Sequence, residues 1–554
     1  MPMINGRSAF LQLLVNNGVT HLFGNPGTTE LPIMEVVPKF PQLQYVLGLQ
    51  ESIVVAMADA YARVSGRITA CNLHVAPGLG HAMGALYTAQ FHGSPIIITA
   101  GQYEQGHGLT EPLLAGPLVR MAEPLVKWAI EPTRIEDLPR IIHRAAKIAL
   151  TPPTGPVFIS LPGDVLDQEK DIDLGHPTRI LASMRPTDAT VSALVDRLLA
   201  AKNPVIIAGQ ELATRNAFAQ AGEFATLLGA AVYQESVPFK GSFQSDHPLH
   251  IGSLTRSQRQ VRDTLAPHDL IVCLGADLLR MSVHSPIEPL PAGVPVMHIS
   301  ERDWELGKNF PTEIAVQANV KDALEVLLPA LRARRSAEYS GAAERRAVAI
   351  KTRNWATLHD RACIDALSAA ETTPIDPKFL LYAVTEALPK NVAIIDEGVT
   401  TTNALPAFFN MRDPQCYYGL ASGGLGFGMP GAIGASLAQP GRPIVAIVGD
   451  GASMYSIQAL WSAAHYKLPI TYVICNNKSY RIIKERLVSS RHTDQFVGMD
   501  FKNPEIDFVS VSRGMGVSAQ RVTAPGELKA VVQAAVKSGK PNLIEVVIAD
   551  GFGG

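Results

Sequence analysis

Two short polar clusters stand at the ends of apolar runs in the last third of this chain, and both offer oxygen donors. Residues 444–448 run into Gly449-Asp450-Gly451-Ala452, and a second apolar run, 470–475, ends at Asn476-Asn477. At the C-terminal ends of neighbouring parallel strands, Asp450 and Asn477 would converge where open α/β sheets bind ligands. A carboxylate, an amide oxygen and a main-chain carbonyl form a hard-oxygen set. That set suits magnesium and leaves positions for two diphosphate oxygens and a water. The glycines let the backbone approach phosphates, and a helix N-terminus after Gly451 favours negative charge. Taken alone, Gly-Asp-Gly is an ordinary strand–turn–helix connection and Asn-Asn an ordinary turn. The full unit of strand, GDG, helix, strand and NN is much more specific.

The first third holds two further candidates. In LGLQESIVVAMADAYARVSG (47–66), Glu51 stands between an apolar strand at 45–49 and an Ala-rich helix at 52–64. By itself it reads as a first-turn acid favoured by the helix dipole. In CNLHVAPGLGHAMGAL (71–86), His74 falls at a strand end, a plausible acid or base near neutral pH.

Elements able to position these groups recur along the chain. Short β-rich runs at 96–100, 157–160, 204–208, 270–274, 392–395, 444–448, 470–475 and 542–547 alternate with helical patterns such as 456–465. The alternation predicts α/β domains with mostly parallel sheets flanked by helices. A length of 554 residues suits about three domains. Polar, weakly periodic stretches at 168–188 and 332–353 are the expected linkers, the second mixing linker with helix. They divide the chain into 1–180, 185–335 and 355–554.

Bulk properties exclude other classes. With 47% hydrophobic and 18% charged residues, a large core is affordable and disorder is not expected. A formal net charge of -2 gives no reason to expect nucleic acid or an anionic membrane. Five scattered cysteines without a CxxC pair read as reduced thiols. No apolar run is long enough to span a bilayer, and the N-terminal residues lack a signal-like apolar stretch. A cytoplasmic protein is expected.

The GDG…NN unit, together with Glu51 and a helix ending in AxAYAR, resembles the thiamine-diphosphate (ThDP) enzymes. The resemblance implies three domains: pyrimidine-binding, central and diphosphate-binding. It implies magnesium held by the Asp450 and Asn477 side chains and the Ser479 carbonyl, with Tyr480 beside it. Glu51 would bond the pyrimidine ring and so help the cofactor lose its C2 proton. In GGLGFGMP, the Gly423 carbonyl would accept from the pyrimidine amino group and Leu425 would hold the cofactor bent. Gly398, Val399 and Thr400 would add diphosphate contacts. A homo-oligomer follows by analogy, a dimer at minimum and a tetramer expected, since the family's sites form across a subunit interface.

FGNPGTTELP (23–32), the segments around Glu51 and His74, AGQ (100–102) and PLVKW (124–128) resemble benzoylformate decarboxylases over nearly the whole chain. His74 matches their active-site histidine. Thr28 stands where they carry a serine that grips the substrate carboxylate; it keeps the hydroxyl and adds a methyl. Their second histidine follows an arginine by two residues. Here Arg280 is followed at that spacing by Ser282, and His284 comes two later, either a catalytic group on an irregular loop or a surface histidine. The substrate pocket would be lined by Gly419, Ile482, Ile483 and Arg486, with aromatic walls lost at 419 and 486. The stretch RIIKERLVSSRH reads as a solvated helix face, or, if Arg486 turns inward, as a partner for an anionic substituent.

The expected activity is non-oxidative decarboxylation of a small 2-oxo acid to an aldehyde, with possible carboligation. Alternatives are an acetolactate synthase-like or lyase-type carboligase and a non-catalytic ThDP-binding protein. The retention of Glu51, His74, Asp450 and Asn477 together speaks against the last.

Overall fold

A computed structural model describes residues 3–181 and 183–552. Each third is built on its own parallel sheet flanked by helices, as the alternation of runs predicts. In the first, six strands lie in the order Gln44–Leu47, His21–Gly24, Thr69–Leu73, Ile96–Gln102, Val157–Pro162, Ala129–Ile130. In the central third the order is His250–Ser253, Ala231–Gln234, Pro204–Ala208, Leu270–Leu274, Val296–Ser300, Ile314–Gln317. In the last third Ala393–Glu397, Ile444–Gly449, Ile470–Asn476, Asn542–Val547 and Ser518–Val522 pair in that order, again parallel. Strands buried on both faces explain why these runs are continuously apolar rather than alternating.

The chain gathers into two compact units. One joins the first third to Leu388–Thr400 and Leu420–Gly554; the other holds the central stretch as far as Ala387 together with Thr401–Gly419.

Within the first unit the helix Glu51–Ser65 is buried along almost its whole length. It packs on Val75–His92 and on Gly428–Ala438. Gly434 makes the second contact possible: a Cβ there would lie 2.2 Å from the Met57 carbonyl oxygen. The helix starts where Gln50 accepts the N–H groups of Ser52 and Ile53, and ends at Gly66 with φ 68°. The preceding strand therefore stops at Leu47, short of the expected 49.

Two other expectations need correction. Residues 332–353 are helical nearly throughout, Val320–Arg334 followed by Ala337–Ile350 and a short turn Lys351–Arg353. Ala, Arg and Glu are strong helix formers, and the Ser336 side chain caps the second helix by accepting from the Tyr339 N–H. The helix expected at 456–465 is shorter, Ala459–His465, and a separate turn, Asp450–Ser453, follows the strand. There the Ser453 hydroxyl donates to the Asp450 carbonyl at 2.7 Å, a local bond that competes with helix propagation. The 168–188 stretch contributes Glu169–Asp171, antiparallel to Met3–Asn5. Among the described residues no helix is long and apolar enough to cross a membrane.

Candidate active site

The first group of candidate residues assembles around a carboxylate that sequence reasoning missed. Glu30 is fully buried. One of its oxygens lies 2.9 Å from His74 Nδ1 and accepts the Gly27 N–H at 3.0 Å. The other accepts the Gly101 N–H at 2.9 Å and the Thr29 hydroxyl at 2.8 Å. Glu30 thereby ties the 27–30 segment and the end of the strand Ile96–Gln102 to one imidazole, and a carboxylate at Nδ1 directs Nε2 outward. Thr29 lies 3.1 Å from the same nitrogen, whereas Thr28 is exposed beside it. The only hint in the sequence was the acid within the FGNPGTTELP segment, since its partners lie far off along the chain.

Glu51 opens its helix and is buried, and its carboxylate lies 3.1 Å from His81 Nδ1. Gly78 separates it from His74: a Cβ at Gly78 would sit 3.3 Å from both Glu51 Oε1 and His74 Cβ. His74, Glu51 and His81 thus share one small patch. Val75, directly after His74, holds a φ of 44°, costly for a β-branched residue.

The second group lies at strand ends of the last sheet. Asp450 Oδ1 accepts the Gly451 N–H at 2.7 Å, while Oδ2 is buried with no hydrogen-bond partner. Burial lifts its carboxyl to about 6, against the pull of backbone N–H donors at 451 and 477–479. On the adjoining strand, the Asn477 side-chain oxygen accepts the Ser479 N–H at 3.0 Å. Gly451 approaches Tyr480 closely enough that a Cβ would meet its ring at 2.6 Å. Gly449 faces the Glu397 and Gly398 carbonyls at 3.8 and 3.9 Å by the same measure. Ala452 is buried behind them. A buried carboxylate oxygen without a partner, on the strand end next to that of the Asn477 amide, fits a hard divalent cation.

Glu397 organises the neighbouring loop. Its carboxylate accepts three successive N–H groups, Gly426 at 2.7 Å, Phe427 at 3.1 Å and Gly428 at 2.8 Å. Burial raises its carboxyl to about 7, opposed by those three donors. The loop so held contains Gly423, with φ 77°, and half-buried Leu425. Next to Glu397, Gly398 donates to Asp396 Oδ1 at 3.0 Å, and Val399 adopts a φ of 52°, a second strained β-branched residue, ahead of Thr400.

The remaining candidates are dispersed. Ile482 is half-buried, and Ile483 and Arg486 are exposed on the helix Arg481–Arg491. The inward cation of this helix is Lys484 rather than Arg486. Lys484 is 2% exposed, its Nζ 2.6 Å from Asp500 Oδ1 and 5.0 Å from the Phe496 ring centre. Gly419 belongs to the other compact unit. A Cβ there would meet the Tyr417 hydroxyl at 2.9 Å, so any side chain at 419 would have to displace it. His284, also in that unit, is exposed on an irregular loop.

Parallel sheets that offer glycine turns and a partnerless carboxylate oxygen at their strand ends, with a buried helix-first glutamate on another sheet, give an α/β fold places to hold an anionic ligand and its cation. Three family models match in order: "Thiamine pyrophosphate enzyme, N-terminal TPP binding domain" over 4–112, "central domain" over 191–327 and "C-terminal TPP binding domain" over 398–546. The chain is 33% identical to a benzoylformate decarboxylase of Pseudomonas aeruginosa, over 97% of this chain and 98% of that protein. It is 26% identical to a probable acetolactate synthase large subunit of Methanocaldococcus jannaschii, over 98% and 92%. Among solved structures, the ThDP-dependent 4-hydroxybenzoylformate decarboxylase of Rhodococcus jostii RHA1 matches with TM-score 0.87 and 32% identity over 99% of both chains. The benzoylformate decarboxylase of Polynucleobacter necessarius matches with TM-score 0.88 and 29% identity over 99% of both. The chain belongs to the thiamine pyrophosphate enzymes and is similar to the benzoylformate decarboxylases among them.

Proposed function

We propose that this protein decarboxylates an aryl or similarly bulky 2-oxo acid to the aldehyde and carbon dioxide, taking up one proton, with ThDP and magnesium bound. The observation that supports a cation-anchored diphosphate is the buried, partnerless Oδ2 of Asp450. Asp450, Asn477 and the Ser479 carbonyl would hold the metal. The Gly398–Thr400 and Gly449–Ala452 turns would receive the diphosphate, with Tyr480 behind Gly451. Bound there, the cofactor supplies an electron sink for the bond between the carbonyl carbon and the carboxylate.

The chain's own residues do the rest. Glu51 holds or shares a proton at the pyrimidine ring, and the Gly423 carbonyl and Leu425 fix that ring's placement. His74, oriented through Nδ1 by Glu30, presents Nε2 to move a proton at the substrate oxygen. The exposed Thr28 hydroxyl is free to meet the substrate carboxylate. Half-buried Ile482 would provide apolar wall, with exposed Ile483 a further pocket candidate; apolar surroundings disfavour the charged carboxylate relative to neutral carbon dioxide. Gly419, Arg486 and His284 are further pocket candidates. A homo-oligomer, a dimer at least and a tetramer by analogy, working in the cytoplasm, completes the reading.

A second reading is a carboligase that passes the acyl unit to another carbonyl. The likeness to acetolactate synthases over nearly the full chain favours it. The deciding experiment is carbon dioxide release by purified protein with ThDP and magnesium, across benzoylformate, ring-substituted and anionic analogues, pyruvate and branched 2-oxo acids. Release from aryl acids with aldehyde as product is expected. Release accompanied only by hydroxyketone supports ligation, and no release with cofactor bound overturns both.

A further inference from the structure

A buried histidine far from the reacting atoms bears on the loop that would contact the pyrimidine. His92 ends the helix Val75–His92, and its side chain has no exposure. Its Nδ1 lies 2.6 Å from Asp59 Oδ2, and the other Asp59 oxygen accepts the Ser94 hydroxyl. On the opposite side the ring's Nε2 accepts the Ala421 N–H at 3.3 Å, and an Arg63 nitrogen lies 3.3 Å from both ring nitrogens.

Those partners define the tautomer. An amide N–H can only donate, so Nε2 must offer Ala421 a lone pair; a carboxylate can only accept, so Nδ1 carries the hydrogen toward Asp59. Ala421 begins the segment that leads through Ser422 to Gly423. The Ser422 hydroxyl is 2.8 Å from that of Thr88, on the same helix as His92, and accepts the Gly424 N–H at 3.0 Å. One helix thus holds two adjacent residues, Ala421 and Ser422, just ahead of Gly423.

We propose that His92 is the positioning residue for the 421–425 loop: its neutral ring, held by Asp59, fixes Ala421, and protonation of the ring releases the loop and loosens the cofactor. The inference rests on the assignment of Gly423 and Leu425 to the pyrimidine. A protonated ring would set a second N–H against the Ala421 N–H and add a charge beside Arg63, on a side chain with no exposure. The charged groups facing the ring are Asp59 and Arg63, both from the helix Glu51–Ser65, while Ser94 and the Phe427 ring, 5.3 Å away edge-on, bring no charge. Burial and then the Arg63 charge hold His92 below its ordinary value, against the opposing pull of Asp59. The ring is therefore neutral at neutral pH, and the loop contact is lost only on acidification.

The test is the ThDP dissociation constant at saturating magnesium from pH 8 to 5.5, read by intrinsic fluorescence quenching. Wild type is compared with His92→Gln, His92→Asn and Thr88→Val. Gln keeps an acceptor where Nε2 stands but takes no proton, so its affinity should fall on acidification severalfold less than that of wild type. The diphosphate's own titration is common to both proteins and cancels in that comparison. Asn keeps a donor toward Asp59 and loses the acceptor, so it should bind weakly at every pH. Thr88→Val removes the other grip and should weaken binding without altering its slope; it does not disturb the buried pair. Melting of each apo-protein checks folding, and if His92→Asn does not fold, the Gln and Val proteins decide. A Gln protein that follows the wild-type slope, or a folded Asn protein that binds as wild type, overturns the proposal. Absence of 2-oxo acid turnover leaves the binding constants readable, so the two readings fail separately. Failure of the wild-type protein to bind ThDP would remove both.

Discussion

The buried Glu30 carboxylate holds His74 through Nδ1 at 2.9 Å while accepting the N–H groups of Gly27 and Gly101 and the Thr29 hydroxyl. Fold and imidazole orientation therefore depend on one side chain. In Glu30→Ala, two backbone N–H groups and a hydroxyl lose their acceptor in the interior. A loss of about 3 kcal/mol or more in urea unfolding is expected, at roughly 1–3 kcal/mol per orphaned group. Glu30→Gln retains one acceptor oxygen and should lose less stability but turnover nearly as severely, because the amide no longer fixes the imidazole tautomer.

Glu51→Gln keeps the shape of the helix start and removes only the exchangeable charge. Turnover should fall by about 10²–10⁴-fold, the usual range for a lost acid–base group. Thermal stabilisation by ThDP with magnesium should persist. A variant with undiminished turnover would contradict the role given to Glu51.

Asp450 sets a pH signature on the apo-protein. Burial lifts its carboxyl from 3.8 to about 6. A group whose folded value is raised contributes most below its unfolded value, and the contribution is lost as pH rises through about 6. Above that the ionised, partnerless oxygen costs roughly 3 kcal/mol. Asp450→Asn should thus melt higher than wild type without ligand at pH 7.5, and the gap should shrink as pH falls through about 6 and close only below 3.8. Magnesium with ThDP should raise the wild-type melting temperature strongly and that of the variant little, and chelation of the metal should reverse the wild-type gain.

On the helix Arg481–Arg491, Lys484 and Arg486 should part company. Lys484→Ala removes a buried cation from Asp500 and from two aromatic rings and should destabilise the protein by about 1–3 kcal/mol. Arg486→Ala, at an exposed position, should change stability by less than about 0.5 kcal/mol. Denaturant midpoints separate the two.

That contrast also marks where the sequence was readable. The buried strands were legible because both their faces are covered, which leaves continuous apolar runs such as Ile444–Gly449 and Ile470–Asn476. The placement of Asp450 and Asn477 on adjoining strand ends followed from them. Glu30 escaped notice because Gly101 and His74 are brought to it only by folding. Lys484 was overlooked in favour of Arg486 because a helix with four cations in mixed phase has no clear apolar stripe, and the rings that receive Lys484 come from beyond the helix. Residues 332–353 misled because Arg-rich composition resembles a linker while its residues favour helix.

The close seat of Gly434 against the Met57 carbonyl fixes the helix bearing Glu51 to the last sheet by backbone alone. The helix Arg481–Arg491, by contrast, leaves Ile483, Arg486, Val488 and its last residues in solvent. Change is tolerated unevenly as a result: almost any side chain at 434 would pry the scaffold apart, whereas the outer face after Tyr480 can drift freely. Substitutions on that outer face should therefore leave the framework beneath it standing.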